Sequence, residues 1–348
     1  MTKTHGYASF DAKTDLRPHT FDRREPGPND VQIDILFAGI CHSDLHTVRG
    51  EWGPQIYPLV PGHEIVGKVA RVGAAVKNHK VGDTVGVGCL VGSCGECLQC
   101  KRGEENYCEK GPTFTYGSKD RDGTQTQGGY SQQVVVNAGF VVSVPASIPL
   151  QNAAPLLCAG ITTFSPLKRW KVGKGHKMAV IGLGGLGHMG VKLGAALGAD
   201  VTLVSTSAKK QADAERLGAR AFLLSTDSRQ IAKAANSFDF ILDTVSAPHD
   251  INGMLGTLRT DGTMVLVGAP PEPTPINAFS LLAKRKTLAG SMIGGILETQ
   301  ECLNFCAEHN LAADIELIQA GQINEAYQRM LKGDVKYRFV IDAKSFSA

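Results

Sequence analysis

A glycine-rich turn between a strand and a helix constrains the fold of this chain more than any other feature of its sequence. Gly182-Leu-Gly184-Gly-Leu-Gly187 directly follows the short apolar segment 177–181 and opens a helical segment that runs to Leu197. In this pattern the first glycine permits a tight turn, the second lets the backbone approach a pyrophosphate, and the third allows close packing of helix on strand. Unpaired N–H groups at the start of the helix favour an anion. The turn therefore predicts a dinucleotide-binding site.

The segment around this turn alternates between strand and helix patterns. Gly198 and Gly218 are expected to end the first two helices. Five strands separated by helices predict a parallel, doubly wound sheet. The predicted strands are 177–181, 201–204, 221–224, 238–242 and 263–267, and the predicted helices are 187–197, 209–217, 229–235 and 251–258.

The first part of the chain has a different pattern. Short β-type runs broken by Gly-Asp and Pro-Gly pairs predict an irregular, mostly antiparallel β domain, with strands at 31–37, 65–72, 83–87 and 131–136. A helix at 298–308 and a strand at 337–341 follow the parallel sheet. These last elements either complete that sheet or fold back on the first domain. The fold class is therefore α/β, with two domains.

Composition narrows the classes of function. The chain has 348 residues and a net charge of +3, which gives no reason to expect a polyanionic partner. We find no apolar run long enough to span a bilayer and no secretory signal, so we expect a cytoplasmic protein with no membrane or nucleic-acid partner. Nine cysteines in a reducing compartment indicate metal ligands, a nucleophile or core packing rather than disulfides.

The end of the second strand of the sheet indicates which dinucleotide binds. An NAD site usually has an acidic residue there for the ribose hydroxyls. This chain has Ser205, Thr206 and Ser207, followed by Lys209 and Lys210, and no carboxylate. Hydroxyl and ammonium groups suit a 2′-phosphate, so we predict NADP(H). An ordinary polar loop that binds NAD loosely remains the alternative.

Four cysteines lie close together in the β domain. Cys94, Cys97, Cys100 and Cys108 can surround one Zn²⁺ tetrahedrally and leave no open position, which predicts a structural zinc site. An iron–sulfur cluster is one alternative, although the last spacing differs from common ferredoxin runs. A non-catalytic zinc ribbon that binds nucleic acid is another, and the acidic residues in this segment argue against it.

A second group consists of Cys41, His63 and the distant Cys158. Each could be a buried packing residue. Beside a dinucleotide site, they suit three protein ligands of a catalytic zinc whose fourth position is left for water or substrate.

Over nearly the whole chain the sequence resembles the zinc-dependent medium-chain alcohol dehydrogenases, and most of all their cinnamyl-alcohol-dehydrogenase-like, NADP(H)-dependent aldehyde reductases. The resemblance implies a GroES-like β-rich catalytic domain at 1–149, completed by about 289–348, a Rossmann domain at 150–288, and a homodimer. The motifs that carry it are Gly62-His-Glu-Ile-Val-Gly67, the four-cysteine segment, Pro155-Leu-Leu-Cys-Ala-Gly-Ile-Thr-Thr163, Gly182-Leu-Gly-Gly-Leu-Gly-His188 and Gly290-Ser-Met-Ile-Gly-Gly295.

The same resemblance implies roles for individual residues near the catalytic zinc. Cys41, His63 and Cys158 would bind the metal, and Glu64 would be the carboxylate that can approach it. Asp44 would orient His63. Ser43 and His46 would relay a proton during hydride transfer between NADPH and a zinc-bound aldehyde carbonyl. An NAD-linked polyol dehydrogenase on the same scaffold is the alternative function.

The resemblance also implies contacts to cofactor and substrate. Trp52 and Phe114 would form pocket walls. The segment 51–57 differs from that of the plant lignin enzymes. The implied cofactor residues are His42, Thr162, Gly182, Leu183, Gly184, Gly185, Leu186, Gly187, Ser205, Thr206, Ser207, Lys210, Thr244, Val267, Gly268, Ser291, Ile293 and Arg338.

Overall fold

The computed structural model describes residues 1–270 and 272–346. Its helices are α1 (His42–Val48), α2 (Leu98–Lys101), α3 (Leu150–Ala153), α4 (Ala159–Arg169), α5 (Gly187–Ala196), α6 (Gln211–Leu217), α7 (Ser228–Lys233), α8 (Ile251–Thr257), α9 (Phe279–Leu282), α10 (Ile296–Glu308) and α11 (Ile323–Leu331). Its strands are β1 (Thr2–Ala8), β2 (Arg17–Arg23), β3 (Asp30–Ile40), β4 (Ile65–Val72), β5 (Thr84–Val87), β6 (Leu90–Gly92), β7 (Thr113–Phe114), β8 (Gln133–Asn137), β9 (Val142–Ser143), β10 (Lys177–Ile181), β11 (Asp200–Ser205), β12 (Ala221–Leu224), β13 (Phe238–Asp243), β14 (Leu258–Leu266), β15 (Thr287–Gly290), β16 (Ile315–Ile318) and β17 (Arg338–Asp342).

The chain divides into two compact units. The first comprises 1–161 and 294–348, and the second comprises 162–293. The resemblance implies boundaries at 149 and 288, and the two compact units divide after 161 and after 293. As a result the segment that carries Cys158 belongs to the first unit.

The first unit is built on a mixed, mostly antiparallel sheet. The strand order is β16-β17-β3-β4-β5-β9. The remaining strand, β8, lies outside this series and pairs with β3. The long strand β3 is central because it pairs antiparallel with β4, β8 and β17. The C-terminal strand therefore completes the first unit, one of the two possibilities that the sequence left open.

The second unit is a doubly wound parallel sheet, as predicted. The strand order is β12-β11-β10-β13-β14-β15, and each neighbouring pair is parallel. The order reverses direction between β11-β10 and β13-β14, so a crevice forms at the carboxyl ends of β10 and β13. Apolar residues of β10, β11, β13 and α8 form the core on one face of this sheet.

The sequence missed one strand of this sheet and one functional helix. β15 is a sixth strand, whereas the strand patterns predicted five. Its four residues, Thr-Leu-Ala-Gly, contain only one large apolar side chain, so they give no strand pattern. α1 has only seven residues, and five of them are polar or charged: His42, Ser43, Asp44, His46 and Thr47.

The positive-φ glycines that end helices are where the sequence predicts them. Gly198 follows α5 with φ +87°, and Gly218 follows α6 with φ +107°. Only glycine adopts this left-handed conformation without steric cost. Among the described residues, no helix has both the length and the apolar composition required to cross a membrane.

Candidate active site

Four potential metal ligands meet in the interior of the first unit. The ligand atoms of Cys41, His63, Glu64 and Cys158 all lie within 4.8 Å of one another, and all four residues are buried. The two sulfur atoms are 3.9 Å apart, and Nε2 of His63 is 3.2 Å from Sγ of Cys158. We call these four residues the Cys41 cluster.

Separate elements position the members of this cluster. Cys41 directly follows β3 and caps the N-terminus of α1. His63 and Glu64 directly precede β4, which pairs with β3 in an antiparallel register. Cys158 lies between a 3₁₀ turn and α4. The β3–β4 pairing therefore brings the first three residues together, and the segment before α4 adds the last.

Asp44 fixes the positions of two ligands, His63 and Cys41, through hydrogen bonds. Its Oδ1 accepts hydrogen bonds from Nδ1 of His63 at 2.9 Å and from the Gly62 N–H at 3.1 Å. Its Oδ2 accepts a hydrogen bond from the Cys41 N–H at 2.9 Å. Because the Nδ1 proton of His63 is held by a carboxylate, the lone pair of Nε2 faces the cluster, as a metal ligand requires.

Glu64 is fully buried, and neither of its carboxylate oxygens accepts a hydrogen bond. Nη1 of Arg338 lies 3.3 Å from Oε1, within ion-pair distance, and donates its hydrogen bond to the Ile40 carbonyl. Burial raises the pKa of Glu64 to about 7, against the opposing charge of Arg338. A buried carboxylate without hydrogen bonds is costly. A cation in the cluster would supply the missing partner.

The surroundings also shift the pKa values of the other ligands. A hydrogen bond from Cys158 lowers the pKa of Cys41, so Cys41 is the first of the two thiols to ionise. Burial opposes protonation of His63, but the charges of Asp44 and Cys89 and its hydrogen bonds together raise its pKa. Cys89 is thus a buried thiol close to the cluster, although it matches no metal-ligand position in the sequence.

The donor set fits zinc. A tetrahedral ion about 2.3 Å from sulfur and about 2.1 Å from nitrogen requires S···S and N···S separations of about 3.8 Å and about 3.6 Å. The separations in the cluster, 3.9 Å and 3.2 Å, are close to these values. Two thiols and one imidazole are also the donors that Zn²⁺ prefers, and a neutral packing role would leave Glu64 unexplained.

α1 carries the residues assigned to proton transfer. Oγ of Ser43 lies 3.5 Å from Sγ of Cys41. His46, one turn further along the helix, is partly exposed, and its Nδ1 forms a hydrogen bond with the Glu51 carboxylate. Trp52 stacks on the His46 ring with centroids 5.1 Å apart. Glu51 is a contact that sequence reasoning missed, since a lone acidic residue in a loop gives no signal.

The cysteine-rich lobe, residues 94–108, forms the second candidate metal site. The four sulfur atoms of Cys94, Cys97, Cys100 and Cys108 lie within 4.8 Å of one another. Backbone N–H groups point at the sulfurs of Cys94, Cys97 and Cys108 at 3.3, 3.5 and 3.3 Å. The N–H of Cys100 lowers the pKa of Cys97 to about 6, which favours the thiolate that zinc binds.

The glycine turn in the second unit has the geometry that the sequence predicts. Gly182 has φ +90°, which permits the tight turn after β10. A Cβ at Gly187 would lie 2.1 Å from the Gly182 carbonyl oxygen, so the helix can approach the strand only because this residue is glycine. A Cβ at Gly184 would meet nothing within 4 Å, which leaves open space where a pyrophosphate would approach the backbone.

The other implied cofactor residues of the second unit gather at the carboxyl ends of its parallel strands. Ser205 ends β11, and Thr206, Ser207 and Lys210 follow it. Carboxyl ends are where such sheets bind ligands. Thr244 follows β13, Val267 and Gly268 follow β14, and Ser291 and Ile293 follow β15, while Thr162 lies on α4. His42 and Arg338 belong to the first unit.

The two residues implied as pocket walls differ in their surroundings. Trp52 lies against His46, as described above, and is 56% exposed. Phe114 lies on β7, where its N–H bonds Oγ of Ser118, and it pairs with Leu90 of β6. Two buried tyrosines lie nearer the centre of the site: Tyr116 stacks on His63 with ring centroids 5.8 Å apart, and Tyr130 donates a hydrogen bond to Asp44. Neither tyrosine carries a spacing signal in the sequence.

Comparison with known proteins gives the family. Residues 27–146 match the alcohol dehydrogenase GroES-like domain, and residues 185–308 match the zinc-binding dehydrogenase domain. The chain belongs to the zinc-binding alcohol dehydrogenase family. It is therefore an oxidoreductase, as the sequence motifs predict.

Individual members of the zinc-binding alcohol dehydrogenase family are similar along the full length. The NADP-dependent alcohol dehydrogenase C of Mycobacterium tuberculosis is 55% identical over 98% of this chain and 99% of its own. The aldehyde reductase YahK of Escherichia coli is 53% identical over 99% of both chains. The crystal structure of the cinnamyl alcohol dehydrogenase from Helicobacter pylori complexed with NADP(H) has a TM-score of 0.93 and 44% identity, over 99% of both chains.

Proposed function

We propose that this chain is a zinc-dependent, NADP(H)-dependent alcohol dehydrogenase that mainly reduces aldehydes. The observation that carries the proposal is the Cys41 cluster, in which two buried thiols and an oriented imidazole face a carboxylate that accepts no hydrogen bond. The relatives named above include an NADP-dependent alcohol dehydrogenase and an aldehyde reductase, which supports the cofactor and the direction.

When bound, the zinc ion would polarise the aldehyde carbonyl and the reduced nicotinamide would supply the hydride. Cys41, His63 and Cys158 are the metal ligands in this proposal, and Asp44 keeps His63 in the ligating tautomer. All four members of the cluster are buried, so the metal would be largely shielded from bulk water. Glu64 is the carboxylate that can approach the metal.

Ser43 and His46 would supply the proton that alcohol formation requires. Ser43 Oγ, beside the Cys41 sulfur, would donate its proton to the product oxygen. His46 is exposed enough to exchange protons with solvent. The Glu51 carboxylate at its Nδ1 holds the ring in the tautomer that leaves Nε2 available for this exchange.

The residues after β11 support NADP(H) rather than NAD. Ser205, Thr206 and Ser207 offer hydroxyl donors and Lys210 an ammonium group at the position where an NAD site usually has a carboxylate. These groups suit a 2′-phosphate. His42 and Arg338 are proposed as positive or polar contacts to the cofactor, and Trp52 and Phe114 as contacts to the substrate.

The four cysteines of the lobe would hold a second, structural zinc, because four thiols leave no position for substrate. We further propose a homodimer, supported by β15 at the end of the described sheet and by Phe279 and Leu282 of α9, which are 75% and 68% exposed. A cytoplasmic location is consistent with nine free cysteines, all within the described residues.

One set of assays tests the function. The purified chain is expected to contain two zinc ions and to reduce a panel of aldehydes faster with NADPH than with NADH. Cys158→Ala should lose one zinc and the activity while remaining folded, because it removes a ligand of the catalytic site only. Thr206→Asp should shift the preference toward NADH, since a carboxylate repels a 2′-phosphate and accepts hydrogen bonds from ribose hydroxyls.

Any of three results would contradict the proposal. A wild-type protein with one zinc ion or none has no catalytic metal as described. Equal activity of wild type and Thr206→Asp with both cofactors would show that the residues after β11 do not discriminate between the two ribose groups. Faster polyol oxidation with NAD⁺ would favour the alternative function, an NAD-linked polyol dehydrogenase.

A further inference from the structure

Tyr130 contacts Asp44, the carboxylate next to the Cys41 cluster, and has no role in the proposed function. Its side chain is fully buried, and its hydroxyl donates a hydrogen bond of 3.0 Å to Oδ2 of Asp44, 86 residues away in the chain. Asp44 contacts His63 and the Cys41 backbone through the same carboxylate. Tyr130 thus donates a hydrogen bond to the carboxylate that orients the ligand His63.

The backbone holds the Tyr130 hydroxyl in this position. The Tyr130 N–H bonds the Pro61 carbonyl at 2.9 Å, and the Gly129 N–H bonds the Gly62 carbonyl at 2.9 Å. Gly62 has φ +108°, and a Cβ there would lie 2.5 Å from Cδ1 of Tyr130, so only glycine lets the ring lie flat against this segment. These two backbone hydrogen bonds therefore hold the segment before His63 against the segment around Tyr130.

The Tyr130 hydroxyl is a hydrogen-bond donor to Asp44. Burial, together with the charge of Asp44, raises the pKa of Tyr130 well above its ordinary value, so the phenol keeps its proton. Asp44 is fully buried and accepts four hydrogen bonds, two at each oxygen. A buried carboxylate depends on each of these donors. Without the phenol, Oδ2 would keep only the Cys41 N–H.

We propose that Tyr130 is a positioning residue for the catalytic zinc: its hydroxyl fixes the Asp44 carboxylate, and through it the orientation of His63 toward the metal. The inference rests on the proposed metal role of Cys41, His63 and Cys158. Outer partners of this kind tune metal affinity without touching the metal.

The test removes the hydroxyl alone. Tyr130→Phe keeps the ring that packs on Gly62. The zinc-loaded full-length protein is mixed with dipicolinate, and zinc release is followed with a chromophoric indicator. The phase that is missing from Cys158→Ala belongs to the Cys41 cluster. We expect this phase to be about tenfold faster in Tyr130→Phe, at the lower end of the effect of outer partners. With Co²⁺ in place of zinc, the visible absorption bands should also shift.

Tyr57→Phe is the matched control, because it removes a phenol hydrogen bond of 2.8 Å to the Val48 carbonyl that does not involve Asp44. It should release zinc at the wild-type rate. A double-mutant cycle with Asp44→Asn separates positioning from general stability, because the Tyr130 effect should then largely disappear.

Several outcomes overturn the inference. Wild-type release and an unchanged Co²⁺ spectrum in Tyr130→Phe would do so, as would an effect that stays the same in the Asp44→Asn background. Failure of the proposed function itself is distinguishable, because Cys158→Ala would then hold as much zinc as the wild type.

Discussion

At the scale of single residues, Gly39 creates the space that the Glu64 side chain occupies. Gly39 lies on β3, and its N–H donates to the Glu64 carbonyl at 2.9 Å. A Cβ built on Gly39 would lie 1.9 Å from Oε2 and 2.9 Å from Cβ of Glu64. The carboxylate is fully buried and cannot swing into solvent. Even one methyl group at position 39 must therefore move it or move the strand.

Gly39→Ala should consequently lower stability. Overpacking a filled interior costs about 1–3 kcal/mol, and we expect a loss in this range. The urea midpoint of the zinc-loaded protein measures the loss. Gly256→Ala is the control, because a Cβ at this position of α8 meets nothing within 4 Å, and alanine is the better helix former. A Gly39→Ala protein as stable as wild type would mean that Glu64 can move freely.

At the scale of elements, the cysteine-rich lobe has almost no core of its own. α2 has four residues, none of them buried, and the 3₁₀ turn at 105–107 buries only Asn106. Oε2 of Glu105 accepts a hydrogen bond from the Ile296 N–H at 3.0 Å and so attaches the lobe to the start of α10. A segment of this kind depends on its metal for stability.

Cys100→Ala should therefore reduce the zinc content from two ions to one and lower the thermal midpoint by about 5–10 °C. Cys302→Ala is a matched control, because Cys302 is a fully buried cysteine of α10 that belongs to neither cluster, and it should keep both ions. Metal analysis and thermal unfolding measure the two effects. Full zinc content in Cys100→Ala would show that the lobe does not hold the metal through this thiol.

The elements also show where patterns in a sequence lose information. The strands β10, β11, β12 and β13 were predictable because each is an apolar run bounded by glycines or polar turns. The elements α1 and β15 were not, because α1 is mostly polar and β15 contains only one large apolar side chain. α1 nevertheless carries Ser43, Asp44 and His46, so the helix most relevant to the chemistry is among the least visible in the sequence.

At the scale of the whole molecule, the proposed dimer accounts for an apolar surface on the second unit. Phe279 and Leu282 are largely exposed on α9, which precedes β15 at the end of the described sheet. Exposed strand edges and apolar side chains favour association with another copy.

We expect wild-type protein to sediment as a dimer at micromolar concentration, and Phe279→Asp combined with Leu282→Asp to increase the monomer fraction strongly. Val81→Asp is the control, because Val81 is an equally apolar residue, 62% exposed, in the first unit. A wild-type protein that is monomeric at every concentration would exclude the dimer.

The sequence by itself determined the features whose residues are close together in the chain. The glycine turn and the four cysteines of the lobe depend on spacing, because a tight turn or a local loop of ligands is built within one short segment. The tertiary structure decided the rest. Cys41 and Cys158 are 117 residues apart, and only β3–β4 pairing and the approach of the α4 segment bring their sulfur atoms within 3.9 Å. The contact of Tyr130 with Asp44 likewise has no trace in spacing, because it exists only after the chain has folded.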